Sequence, residues 1–117
     1  MRISRRLLVA VILTAAAQAQ SPSGNAAHGK DLFLSYGCYS CHSFDGHGGA
    51  GARLVPMKMQ LPVFTAFIRN AGAMPSYSAK VLPDAQAADI WAYIKTIPAS
   101  PDAKNIPLLQ QLINQSQ

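Results

Sequence analysis

Apolar residues recur at helical spacing in three stretches of the chain. Gly29, Leu32, Phe33 and Tyr36 stand at i, i+3, i+4 and i+7, on one face of a helix that starts near Ala26; Gly37 follows as a stop. Leu34 falls off that stripe. Phe64, Phe67 and Ile68 mark a second helix over Val63 to Arg69, with Pro62 suited to its first turn and Ala71-Gly72-Ala73-Met74-Pro75 ending it. Ala87, Ile90, Trp91, Ile94 and Ile97 form the stripe of a third, opened by Pro83 and stopped by Pro98, with Tyr93 at its edge. Asp84 and Asp89 lie toward its positive end and Lys95 toward its negative end, as the helix dipole prefers. No run alternates with strand period, nothing repeats, and no second domain is indicated. The pattern predicts an all-α fold with three main helices.

The segments between are irregular. Gly46, Gly48, Gly49 and Gly51 crowd six positions and read as loop, and Arg53 to Gln60 has no period. Ser21 to Asn25 reads as a flexible leader. At the start, Arg2, Arg5 and Arg6 precede an apolar run of 11 residues, Leu7 to Ala17, and the small residues of Ala17-Gln18-Ala19. This is the layout of a secretory signal, too short for the ~20 residues that span a bilayer. The expected organisation is a signal peptide over 1–19, cleaved after Ala19, and one domain over 20–117. Residues 98–117 form its extended tail, whose Ile106, Leu108 and Leu109 can wrap the domain or dock a partner.

Charge adds little after that division. The full chain has 117 residues and a net charge of +5; without the three arginines of the leader the charge is +2. No block of Lys/Arg interleaves with aromatics, so nucleic acid is a poor partner. A domain of about 100 residues has a small core and gains from a staple or a cofactor. An exported chain meets an oxidising compartment, expected here to be the periplasm, yet its two cysteines are three positions apart and cannot staple the fold.

Those cysteines carry the chemistry. Cys38-Tyr39-Ser40-Cys41-His42 is C-x-x-C-H, the spacing of c-type haem attachment. Two thiols so spaced reach the two vinyl groups along one haem edge and become thioethers, and the next histidine lies beneath the iron. A zinc site would want two further ligands, and only His28 and His47 remain. Disulfide exchange would want a βαβ context. The iron's sixth position falls to a methionine or stays open. Met74 sits before Pro75, which holds it extended, after a helix; it is the favoured ligand. Met57 and Met59, 15 and 17 residues after His42, read as packing or surface. A thioether ligand raises the potential and closes the iron, which means electron transfer; an open iron would mean a sensor or an enzyme.

Taken together, Cys38 to His42, Met74-Pro75 and Asp89-Ile90-Trp91-Ala92-Tyr93-Ile94-Lys95 resemble class I c-type cytochromes, small bacterial periplasmic monohaem proteins, over about Gly29 to Ile97. The resemblance implies a cytochrome c fold of three main helices around one covalent haem c, with metal ligands His42 and Met74, and a one-electron carrier rather than an enzyme. Its partners would be a redox donor and acceptor. The alternative role is as the cytochrome subunit of a periplasmic dehydrogenase, docked in a stable complex. It also implies that the first and last helices cross at Gly29, with Phe33 against Ile90 and Tyr93. The family usually has a proline after the glycine loop whose carbonyl supports the proximal histidine. Here Ala52 stands after Gly51, which predicts a weaker support, with Pro56 as an alternative. Arg53 and Tyr77 are the expected cofactor-binding donors to the haem propionates, with Arg69 and Trp91 behind them. His28 and His47 are expected to be solvated.

Overall fold

The computed structural model describes residues 23–116, so the expected signal peptide lies outside the described residues. Five α-helices follow in order: α1 (Ala26–Ser35), α2 (Tyr39–His42), α3 (Leu61–Arg69), α4 (Asp84–Thr96) and α5 (Pro107–Gln115), with a 3₁₀ turn at Ala103–Asn105 before the last. The three expected helices are α1, α3 and α4, and they make the core. Among the described residues there is no strand.

Helix α1 begins where Asn25 caps it, its side-chain oxygen accepting from the amides of Ala27 and His28, as an N-cap should. It ends in a Schellman turn: Gly37 takes a positive φ of 74°, its amide bonds Leu34 O, and the Cys38 amide bonds Phe33 O. The helix stop therefore also sets the backbone of the first cysteine.

α1 crosses α4 at Gly29. A Cβ built there would lie 1.9 Å from Asp89 O and 3.0 Å from Ile90 N, so the backbones touch and no side chain fits. Phe33 is fully buried beside the crossing, its ring edge-on to Tyr93 at 5.6 Å. The family resemblance predicts both contacts. His28 is exposed, as expected of a solvated histidine, and it also makes a specific surface pair. Its Nδ1 pairs with Asp89 Oδ2 at 2.7 Å, while Asp89 Oδ1 accepts from the Asn25 amide at 2.6 Å. One carboxylate thus ties the start of α1 to α4, a pairing across 61 positions that no local pattern carries.

The core contains Leu32 and Phe33 of α1, Val55, Phe64 and Ile68 of α3, Leu82, and Ala87, Ile90 and Ile94 of α4. Phe67 is half exposed. The tail differs from the extended segment expected. Pro107 occupies the first helical turn of α5, where its missing N–H is harmless, and Leu108, Leu109, Leu112 and Ile113 recur at helical spacing. None of these residues is buried, so the tail neither stays extended nor buries an apolar face on the domain. Among the described residues no helix is long and apolar enough to cross a membrane.

Candidate functional site

The C-x-x-C-H segment occupies one helical turn. The His42 amide bonds Cys38 O at 3.0 Å, and Ser40 Oγ donates to Gly37 O at 2.6 Å. The spacing i, i+3 puts both thiols on one face of that turn, and His42 follows on the same side. Cys38 is partly buried, Cys41 is exposed, and both are free thiols. Burial pushes the Cys38 thiol above its ordinary range. The zinc alternative lacks its ligands: among the described residues no three His, Cys, Asp or Glu side chains converge on one point.

Beside this turn lies a cleft of about 420 Å³. Cys38, Cys41 and His42 form one wall. Met74 and Pro75 enter from the loop after α3, and Phe64, Ile68, Leu82, Ile90 and Ile94 form the apolar floor. A flat apolar group with two reactive vinyl carbons and a metal needs such a mixture: thiols at the edge, ligating atoms within, hydrocarbon elsewhere. The residues present fit a haem c on that observation.

His42 is held by the glycine loop. Its Nδ1 lies 2.7 Å from Ala52 O; a carbonyl only accepts, so Nδ1 carries the proton and Nε2 keeps the lone pair that could bind a metal. The loop that presents Ala52 has no proline. Its shape comes from backbone bonds instead, Gly51 N to Cys41 O at 2.7 Å, Gly48 N to His42 O at 3.2 Å and Leu54 N to Gly46 O at 2.8 Å. Gly51 must be glycine, since a Cβ there would lie 2.9 Å from the His42 ring. The expected weak point is thus a short, well-supported contact, and Ala52 rather than Pro56 makes it.

The remaining expected residues divide. Arg53 and Tyr77 both line the cleft. Arg53 is exposed and reaches Ser100 Oγ at 3.4 Å. The Tyr77 hydroxyl donates to Tyr36 O at 3.1 Å, and burial pushes its phenol above the usual range, which keeps it a neutral donor. Arg69 turns elsewhere, pairing with Asp84 Oδ1 at 2.6 Å and donating to Tyr77 O at 2.8 Å. Trp91 donates its indole N–H to Met59 O at 2.9 Å and so anchors the irregular segment to α4. Met57 and Met59 both line the cleft, a position their sequence context does not signal. His47 bonds Asp45 within its own loop. A shallower groove of about 630 Å³ runs between α3 and α4, away from the cysteines.

Residues 24–94 match the family model described as cytochrome c oxidase, cbb3-type, subunit III. Over 80 residues the chain is 34% identical to the cytochrome bc1 complex cytochrome c subunit of Corynebacterium diphtheriae. That stretch is 64% of this chain but 28% of the relative, so the chain spans well under half the length of that protein. No solved structure matches the chain. The all-α frame, the C-x-x-C-H turn at the mouth of an apolar cleft and the family match over most of the described residues lead to one conclusion: the chain belongs to this family of c-type cytochromes, which carry covalently bound haem c and transfer electrons.

Proposed function

We propose that this protein is a periplasmic one-electron carrier whose haem c is joined through Cys38 and Cys41 and ligated by His42 and Met74. The observation that carries the reading is the cleft itself: Met74 lies 32 positions beyond His42, yet both side chains line the same cavity. When bound, the group supplies a reversible Fe(III)/Fe(II) couple. The chain does the rest. Ala52 orients His42 and fixes its tautomer. The floor of α3 and α4 side chains excludes water from the cleft, which favours the less charged state and raises the potential together with a thioether ligand. Export rests on the basic head and apolar run of residues 2–17.

Optical spectroscopy tests the ligand. The oxidised protein should show the weak band at about 695 nm that the family's methionine–iron bond produces. Met74→Ala should abolish that band and lower the midpoint potential, while covalent haem stays. A band that survives Met74→Ala would transfer the role to Met57 or Met59; a wild-type protein without the band would point to an open iron.

A second reading has support of its own. The relative is named as a subunit of a complex, and α5 exposes Leu108, Leu109, Leu112 and Ile113, which suits a chain held by a larger redox assembly, a dehydrogenase included. Size exclusion of native extract separates the two: elution at the monomer mass supports the free carrier.

A further inference from the structure

Met74 sits on a loop whose tip has no apolar anchor. Between Ala71 and Tyr77 no residue is buried, and a Cβ built on Gly72 would meet nothing within 4 Å. Packing therefore fixes little of the tip, and polar contacts at the base decide where Met74 is held. Three bonds close that base. The Tyr77 amide donates to Ile68 O at 2.9 Å, Ser76 Oγ donates to Ala71 O at 3.2 Å, and Arg69 Nη1 donates to Tyr77 O at 2.8 Å. Tyr77 Oη donates in turn to Tyr36 O at 3.1 Å, two residues before Cys38, so the loop is tied to the start of the cysteine turn. Arg69 supplies the charged donor among these contacts. Its side chain is only 17% exposed, and its Nη2 pairs with Asp84 Oδ1 at 2.6 Å, in the first turn of α4. One planar guanidinium thus holds the loop's closing carbonyl and the start of α4 in a fixed fork, and charge-assisted bonds of this kind are stronger than neutral ones.

We infer that Arg69 is a positioning residue for the sixth ligand: its guanidinium clamps Tyr77 O to α4 and so keeps the Met74 loop closed on the cleft. The inference rests on Met74 as the ligand and adds what holds that ligand in place. Arg69 is absent from the cleft lining and borders the groove between α3 and α4 instead, so it acts only through Tyr77. A closed loop suits a carrier that exchanges electrons and nothing else, whereas an open one admits small external ligands. The balance between those two behaviours is therefore set by a contact outside the cleft.

Imidazole is the probe, because it can bind the iron only while the Met74 thioether is away, so its apparent affinity scales with the open fraction. In ferric holoprotein titrated at the Soret band, Met74→Ala gives the fully open limit. Arg69→Met keeps the stem and removes both donors; it should bind imidazole about tenfold more tightly than wild type, the size expected from losing one charge-assisted hydrogen bond. Arg69→Lys keeps the charge but not the fork, and should bind it about threefold more tightly. Gly29→Ala lowers stability at the α1–α4 crossing without touching the loop, and should bind imidazole as wild type does. In Arg69→Met the Tyr77 amide should exchange with solvent about tenfold faster, while the Ile90 and Ile94 amides of α4 keep their wild-type rates. Wild-type imidazole affinity in either Arg69 variant, or an equal gain in Gly29→Ala, would overturn the inference. Met74→Ala binding imidazole no more tightly than wild type would instead sink the methionine ligand beneath it.

Discussion

At the residue scale, the site depends on a few atoms placed by backbone rather than by side-chain packing. Ala52 contributes only its carbonyl to His42, so the side-chain type there matters less than the loop path, and that path is set by glycine where the ring approaches and by backbone bonds elsewhere. The same loop begins with a small electrostatic device. Ser43 Oγ, and after it the His47 amide, hold the Asp45 carboxyl below its ordinary range. A carboxylate whose folded pKa is depressed contributes stability above its unfolded pKa and loses it as pH falls through the folded value. Ser43→Ala should therefore move the Asp45 pKa upward toward the ordinary value of about 3.9, followed by carbon-detected NMR titration. Because Asp45 is exposed, thermal stability at neutral pH should hardly change. Met74 is legible in sequence through Pro75. Met57 and Met59 are not, because their approach to the cleft depends on how the Arg53 to Gln60 segment is tied to α4.

At the element scale, the α1–α4 crossing sets the frame. Gly29→Ala poses two effects against each other. Alanine is better than glycine in a helix by about 1 kcal/mol, but the new Cβ would sit 1.9 Å from a carbonyl oxygen, and forced overpacking costs typically 1–3 kcal/mol, occasionally more. With backbone as the obstacle the clash wins, and the expected net loss is about 2 kcal/mol, a fall in Tm of about 10 °C for a domain this size, measured by circular dichroism. A rise in Tm would mean that the helices can part without penalty. The Trp91 indole acts at the same scale by joining α4 to the segment that carries Ala52, Met57 and Met59. Trp91→Phe keeps a ring beneath Lys95, whose ammonium lies 4.3 Å from the indole centroid, but removes the N–H donated to Met59 O. The expected cost is about 1 kcal/mol, with faster amide hydrogen exchange confined to the Arg53 to Gln60 segment. Exchange that speeds up uniformly would point to lost packing instead.

For the whole molecule, cofactor site and core are one structure. Phe33, Phe64, Ile68, Leu82, Ile90 and Ile94 belong both to the buried core and to the lining of the cleft. A domain this small buries a limited share of its apolar surface, and the bound group fills what the chain alone leaves open. Replacing both cysteines, Cys38→Ala with Cys41→Ala, should remove covalent haem, seen as loss of haem-linked peroxidase staining after denaturing electrophoresis. It should also leave a chain that unfolds with a broad, weakly cooperative transition. A sharp transition near the wild-type Tm would show that the polypeptide core suffices without the group.

Taken alone, the sequence determined the all-α class, the three core helices and the attachment turn, because helical periodicity, proline and glycine stops and the C-x-x-C-H spacing are all local signals. Helix α5 carries the same helical period in Leu108, Leu109, Leu112 and Ile113, but none of its residues is buried, so nothing in the core requires the segment to be helical. The tertiary structure alone decided the contacts between distant segments: Asp89 closing on His28 and Asn25, Trp91 on Met59, Arg69 turning to Asp84, and Ala52 reaching His42 through a loop with no proline. Each joins groups whose meeting depends on how helices cross and how a loop is tied down, and one-dimensional spacing does not record that.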